Sequence, residues 1–216
     1  MYIKTERLII RNCQMSDAEV LYKIKYDPQV LKYNSTFFKR DATIDDIKEA
    51  ISYFMTASDS GNFNKEIYYA IALKETNTVI GVITVSIPSY LNEVQIGWML
   101  CGEYTGKGYA SEAGAAASDF LLDTYSLYYM IVLMDVDNPA SFRTAQKSGF
   151  RLSEKRVGYY YFYSKFNVEN FNEVSKYFQT NQAKVGSCYY YFRKYNPKTK
   201  IKSQFYGDTQ YEGIFS

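Results

Sequence analysis

The chain has 216 residues, a formal net charge of +2, 24 tyrosines and no histidine. That length suits one domain with a sizeable core, or one domain with an appendage, and the near balance of charge implies no strong electrostatic partner for the molecule as a whole. Without histidine, Ser-His and Cys-His nucleophile pairs and His-rich metal sites are excluded, so acid–base work falls to carboxylates, tyrosines, a lysine, water or a chain terminus.

In chain order, Met1-Tyr2-Ile3-Lys4 leads straight into a strand-like segment, and residues 8–12 read as the first strand. Ser16-Asp17-Ala18-Glu19 reads as a capping box opening a helix to about residue 26, and Thr43-Ile44-Asp45-Asp46 as a second box opening a helix to about residue 56. In that second helix Ile44, Ile47, Ile51 and Phe54 recur at helical spacing. Residues 67–74 and 79–87 form two strands joined by Glu75-Thr76-Asn77-Thr78, a hairpin turn. The next strand, 93–100, runs into Glu103-Tyr104-Thr105-Gly106-Lys107-Gly108-Tyr109-Ala110, and a helix follows over about 111–122. A glycine turn so placed presents unpaired backbone N–H groups and the positive end of a helix dipole to an anion, a pyrophosphate above all. Gly106 and Gly108 tolerate positive φ and leave room for a phosphate, although a tight connection with no ligand has the same local appearance. An apolar strand over 129–136 leads to Asp137-Asn138-Pro139-Ala140-Ser141. Asn138 suits the N-cap, Pro139 the first helical position, and Gly149 the helix end.

The glycine loop, the strand after it and the run from Asn138 through Ser141 to Gly149-Phe150 together resemble the GNAT superfamily of acyl-CoA-dependent N-acetyltransferases. Thr5-Glu6-Arg7-Leu8-Ile9-Ile10-Arg11 with Asp17, and Asp27-Pro28-Gln29-Val30, are similar to its ribosomal-protein alanine N-acetyltransferase branch. The resemblance covers roughly residues 2–163. It implies an α/β (α+β) fold, a mixed, twisted central sheet flanked by helices and splayed between its fourth and fifth strands, where the acyl-CoA arm inserts. It further implies that acetyl-CoA is the acyl donor and that the reaction needs no metal. The pantetheine arm would pair with Trp98, Met99 and Leu100, and the phosphates would lie on Glu103, Thr105, Gly106, Lys107, Gly108, Tyr109 and Ala110. Asn138 would bond the arm and Ser141 would lie near the sulfur.

A thioester is already activated, so direct transfer to an amine requires positioning, removal of the amine proton and support for the oxyanion. Many family members protonate the leaving thiolate with a tyrosine whose place here is Ala145; Ser141, matching a serine used in the ribosomal-protein branch, is the candidate acid. Glu93, at the mouth of the central strand, is the candidate base, or else an exposed residue closing a turn. Tyr33, Asn34 and Phe37 lie where the family shapes its acceptor pocket. An α-amine of pKa near 8 is roughly a tenth unprotonated at pH 7, against about 0.04 percent for a lysine, which makes a protein N-terminus the easier acceptor. A polyamine or aminoglycoside acceptor stays open, as does a non-catalytic acyl-CoA-binding or interaction module.

Cys13, Cys101 and Cys188 are odd in number and far apart, which argues against a disulfide framework. No apolar run is long enough for a bilayer and no signal peptide is evident, so the cytoplasm is the expected location and no membrane partner is expected. Residues 1–165 read as the acetyltransferase domain, with the final family strand at Gly158-Tyr159-Tyr160-Tyr161-Phe162-Tyr163. Residues 166–216 read as an aromatic C-terminal extension, whose Val185 to Asn196 block echoes Val157 to Asn167. That block has strand propensity, and it either extends the sheet or forms an oligomer interface such as a homodimer. Seven Lys or Arg against four acids over 166–216 is a local excess of +3, too small to imply nucleic acid.

Overall fold

The computed structural model describes residues 1–33, 41–57, 62–64, 66–87, 93–135, 137–157 and 188–199. The strands are β1 (Tyr2–Lys4), β2 (Leu8–Asn12), β3 (Ile67–Leu73), β4 (Val79–Ser86), β5 (Gln95–Leu100), β6 (Tyr129–Asp135), β7 (Arg151–Val157) and β8 (Cys188–Tyr195). The helices are α1 (Ala18–Lys25), α2 (Pro28–Tyr33), α3 (Ile44–Ala57), α4 (Tyr109–Thr124) and α5 (Pro139–Lys147). The strands make one mixed sheet in the order β1-β2-β3-β4-β5-β6-β8-β7. The α/β architecture expected from the sequence is the one observed.

β1 to β5 pair antiparallel in chain order; β1–β2, β3–β4 and β4–β5 are joined by short connections, whereas α1, α2 and α3 lie between β2 and β3. The β3–β4 turn is the expected hairpin, with Asn77 at φ +55°. β3 and β4 are buried along almost their whole length, as suits a sheet covered on both faces. α3 starts on the expected box: the Thr43 hydroxyl accepts from the Asp46 N–H at 3.3 Å and the Asp46 carboxylate accepts from the Thr43 N–H at 2.7 Å. At α1 the expectation fails in detail. A short 3-10 turn, Met15–Asp17, precedes the helix, and the carboxylate that organises it belongs to Asp17, which accepts from the Gln14 N–H at 2.7 Å. Arg11, buried on β2, grips the same carboxylate at 2.7 and 3.0 Å, so Asp17 is drawn inward and Ser16 left out.

The splay lies between β5 and β6. Because the N-terminal segment supplies two strands, this is the gap between the fifth and sixth strands rather than the fourth and fifth. The two run parallel and pair only at Gln95 and Ile131, where the Ile131 N–H donates to the Val94 carbonyl at 3.0 Å. Beyond that point they part. The aromatic block of the C-terminal region supplies β8, which lies between β6 and β7 instead of at a sheet edge. Its Tyr191 and Phe192 are fully buried, whereas β7 begins on the exposed Arg151, Leu152 and Ser153, so the apolar strand takes the interior place. Residues 158–163, where the final strand was expected, lie outside the described residues.

Candidate functional site

Where β5 and β6 part, a cleft of about 870 Å³ opens, within the range of small-molecule sites. Its near wall is β5, the glycine loop and the start of α4; its far wall is β6 and α5. Groups along a strand edge alternate in direction. Val94 reaches across to β6 through its carbonyl, while the Cys101 N–H donates to Ile80 on the β4 side at 2.9 Å. By that alternation the N–H and C=O of Trp98 and Leu100 face the gap, and those of Met99 are turned to β4. An extended polar arm laid along β5 therefore meets Trp98 and Leu100 through backbone groups and Met99 only through its side chain.

At the end of β5 the chain turns through Gly106 (φ +74°) and Gly108 (φ +82°), and Gly108 is the N-cap of α4. These left-handed conformations are open to glycine without strain and aim the free N–H groups of the first helical turn into the cleft mouth. Arg7, from the segment between β1 and β2, holds the loop. Its Nε donates to Glu112 at 2.6 Å, its Nη1 donates to the Lys107 carbonyl at 2.9 Å, and its guanidinium stacks 4.6 Å from the Tyr109 ring centroid. The Thr5 hydroxyl donates to the same Glu112 at 2.6 Å. Burial would raise the Glu112 pKa, but these donors and the Arg7 charge hold it below the ordinary carboxylate value. An anion-accepting turn is thereby fixed to the first strands of the sheet.

On the far wall the Asn138 side chain accepts from the Ser141 N–H at 3.0 Å, capping α5, and both residues line the cleft. Thr105, Gly106, Gly108, Tyr109, Ala110 and Tyr33 also line it, and the Tyr33 hydroxyl donates to the Asp137 carbonyl at 3.0 Å. Three expected residues do not line it. Glu103 points to solvent, and the Lys107 ammonium sits 5.5 Å from the Tyr104 ring centroid. Glu93 is only 1% exposed: the hydroxyls of Tyr129 and Tyr191 both donate to its carboxylate, the latter at 2.5 Å, and Arg193 lies 3.8 Å away. Enclosed in this way, it is not presented to an acceptor. Asn34 and Phe37 lie outside the described residues.

Sequence reading missed the charged lining residues among the described part of the chain. Arg143 and Lys147, one turn apart on α5, were legible as a cationic stripe following Asn138. Lys32 beside Tyr33 and Asp135 at the end of β6 carry no such signal. Glu66 also lines the cleft, and a lone carboxylate before an apolar strand looks like any turn residue. Among the described residues no group of His, Cys, Asp and Glu is placed to hold a metal ion, and no helix is long and apolar enough to cross a membrane. Cys13 and Cys101 are free thiols.

Residues 7–151 match the family model of the acetyltransferase (GNAT) domain. An uncharacterised N-acetyltransferase of Bacillus subtilis strain 168, YnaD, is 29% identical over 155 residues, covering 70% of this chain and 83% of its own. Two solved structures share the fold. A ribosomal-protein-S5-alanine acetyltransferase from Vibrio fischeri has a TM-score of 0.66 at 16% identity, covering 93% of this chain and 100% of that one. A microcin C7 self-immunity acetyltransferase in complex with acetyl-CoA and AMP has a TM-score of 0.64 at 17% identity, covering 89% and 94%.

Proposed function

The chain belongs to the GNAT acetyltransferase family, and within it we propose that the acceptor is a primary amine carrying a single positive charge, foremost the α-amine of a protein N-terminus. The balance of charge in the cleft carries this reading. Among the described residues its charged lining is Lys32, Arg143 and Lys147 against Glu66 and Asp135. A polyamine or aminoglycoside brings several cations and calls for a predominantly acidic pocket; a single ammonium needs only one carboxylate. The lower pKa of an α-amine works in the same direction, since more of it is free at neutral pH.

Acetyl-CoA, the family's donor, fits the residues present. Trp98 and Leu100 offer the unpaired strand edge, the Gly106–Gly108 turn and the first turn of α4 offer N–H groups to phosphate, and Arg143 and Lys147 add positive charge on the opposite wall. The bound thioester supplies an activated acyl group. Asn138 holds the start of α5 so that Ser141 faces the cleft, and we assign Ser141 the proton donated to the leaving thiolate. Glu93, closed off by its tyrosines, keeps the floor beneath β5 and β6 in place.

The test is calorimetric titration of the full chain with acetyl-CoA, then thiol release on adding short peptides with free N-termini or spermidine. Binding with release favouring peptides is the expected result. Release with spermidine alone would overturn the acceptor assignment. Binding with no release from any amine would leave a module that holds acyl-CoA without using it.

A further inference from the structure

Glu66 immediately precedes β3, with β4 between it and the segment of β5 where the cleft begins, at the end away from the glycine loop, and it lines the cleft. Cross-strand register places Tyr68 opposite Thr84 and Thr84 opposite Gly97, and Ser86 opposite Gln95 one row further on. Glu66 opens to the cleft and has two donors on this face. Tyr68, a residue 4% exposed, donates its hydroxyl to it at 2.5 Å, and the hydroxyl of Thr84, a residue 7% exposed, is its second partner. Gly97 makes room for the second: a Cβ there would stand 2.7 Å from the Thr84 hydroxyl oxygen. From the β5 members of these rows to Trp98 is one to three residues, roughly 3–10 Å, and Glu66 stands two strands aside, about 10 Å at the backbone, a gap spanned by its side chain together with the acceptor amine or bridging water.

Resting on the acetyl-transfer reading above, we propose that Glu66 is the residue that receives the acceptor's ammonium and takes its proton, with Tyr68 and Thr84 as positioning residues. The carboxylate pairs with the ammonium and removes one proton, the freed amine attacks the thioester carbonyl, and the tetrahedral adduct forms. Its C–S bond breaks as the second nitrogen proton passes, through Ser141, to the departing sulfur, and Glu66 returns its own proton to water. Burial raises the Glu66 pKa above the ordinary carboxylate value, while the two hydroxyl donors hold it down. The cleft's other charges stand on other elements: Lys32 on α2, Asp135 on β6, Arg143 and Lys147 on α5. Asp135, the second carboxylate, is occupied by the Asp137 N–H at 3.0 Å.

The experiment compares full-length wild type, Glu66→Gln, Asp135→Asn and Tyr68→Phe with acetyl-CoA and the best amine found for the wild type. Glu66→Gln is expected to bind acetyl-CoA within two-fold of wild type by calorimetry, which certifies its fold. Its kcat/KM for the amine is expected to fall by about a hundred-fold, and the acid limb of the pH profile to disappear. Asp135→Asn keeps that limb. Tyr68→Phe moves it to higher pH, because loss of a donor to the carboxylate raises its pKa further. A Glu66→Gln enzyme that keeps both rate and limb overturns the assignment, as does loss of the limb in Asp135→Asn instead. A wild type with no thiol release from any amine defeats the acetyl-transfer reading itself.

Discussion

The two walls of the cleft are held by opposite ends of the chain and by different physics. The near wall, β5 with the glycine loop and α4, is tied down by the Arg7 and Thr5 grip on Glu112, at the surface; Arg7 and Glu112 side chains are 42% and 18% exposed. The far wall, β6 with α5, is backed by β8, whose Tyr191, Phe192 and Arg193 are buried. Phe142 of α5 packs on Tyr190 and Phe192 at 4.9 and 5.1 Å between ring centroids. Lys194 donates to the Ser148 carbonyl just past α5 at 3.0 Å and crosses to Ser118 of α4 at 2.8 Å, where β8 also reaches the near wall. Below the point of splay, Glu93 joins β6 and β8 through Tyr129, Tyr191 and Arg193. An open gap between two parallel strands gives up ladder hydrogen bonds, and the lesson is that each wall must then be held by contacts away from the gap. The buried anchor controls whether the sheet stays whole; the exposed one controls the shape of a loop.

The sharpest way to break this contrast is to cut the buried anchor. Burial, with the Glu93 carboxylate beside it, pushes the Tyr191 hydroxyl's pKa up, so it remains a donor throughout the working pH range. Glu93→Ala takes away the carboxylate to which two buried phenols donate and the counter-charge 3.8 Å from the Arg193 guanidinium, at about 3–5 kcal/mol. For a chain of this length that is on the order of a 10 °C fall in Tm by differential scanning calorimetry. Glu93→Gln, which keeps an acceptor oxygen, should lose clearly less. Equal and small losses for the two variants would show that packing of β8, not the polar cluster, holds the far wall.

Much of the near wall was legible in the sequence and little of the far wall was, for a physical reason. The near wall and the elements before it in the chain are built locally: the Thr43 box, the turn at Asn77 and the glycines before α4 each act within a few residues, and their patterns name their conformations. The N-cap at Asn138 was legible on the same grounds. The place of β8 depends on pairings between residues some sixty positions apart, Tyr129 with Tyr195 among them, and an aromatic run carries no mark of its neighbours. Glu93 looked like a mouth residue because nothing near it in the chain foretells the tyrosines that cover it. Asp17 displaced Ser16 at α1 because Arg11, across a turn, decides which side chain goes inward. Glu66 was silent because its donors come from two strands at once.

A smaller effect, confined to chemistry, is expected on the face of α5. Ser141 lines the cleft while its own N–H is spent on Asn138, so Ser141→Ala removes a hydroxyl and leaves the helix cap untouched. Single-turnover thiol release should slow by about ten- to a hundred-fold, with acetyl-CoA affinity and Tm within error of wild type. A matching loss of affinity would make Ser141 a binding residue, and an unchanged rate would remove it from the reaction.

The smallest effect belongs to the exposed anchor. Arg7→Ala deletes a partly solvated ion pair, one hydrogen bond to the Lys107 carbonyl and the stacking on Tyr109, worth together about 1 kcal/mol after solvent screening. Because those contacts fix the loop and not the sheet, the loss should appear as a roughly five-fold weaker acetyl-CoA affinity, with Tm lowered by only a few degrees. The ion pair is screened by salt, so the gap between variant and wild type should narrow as ionic strength rises. A gap that does not change with salt would point to the stacking and the carbonyl bond as the working part of the clamp. A Tm loss as large as that of Glu93→Ala would mean that the first strands, too, anchor the sheet, and the contrast between the two walls would fall.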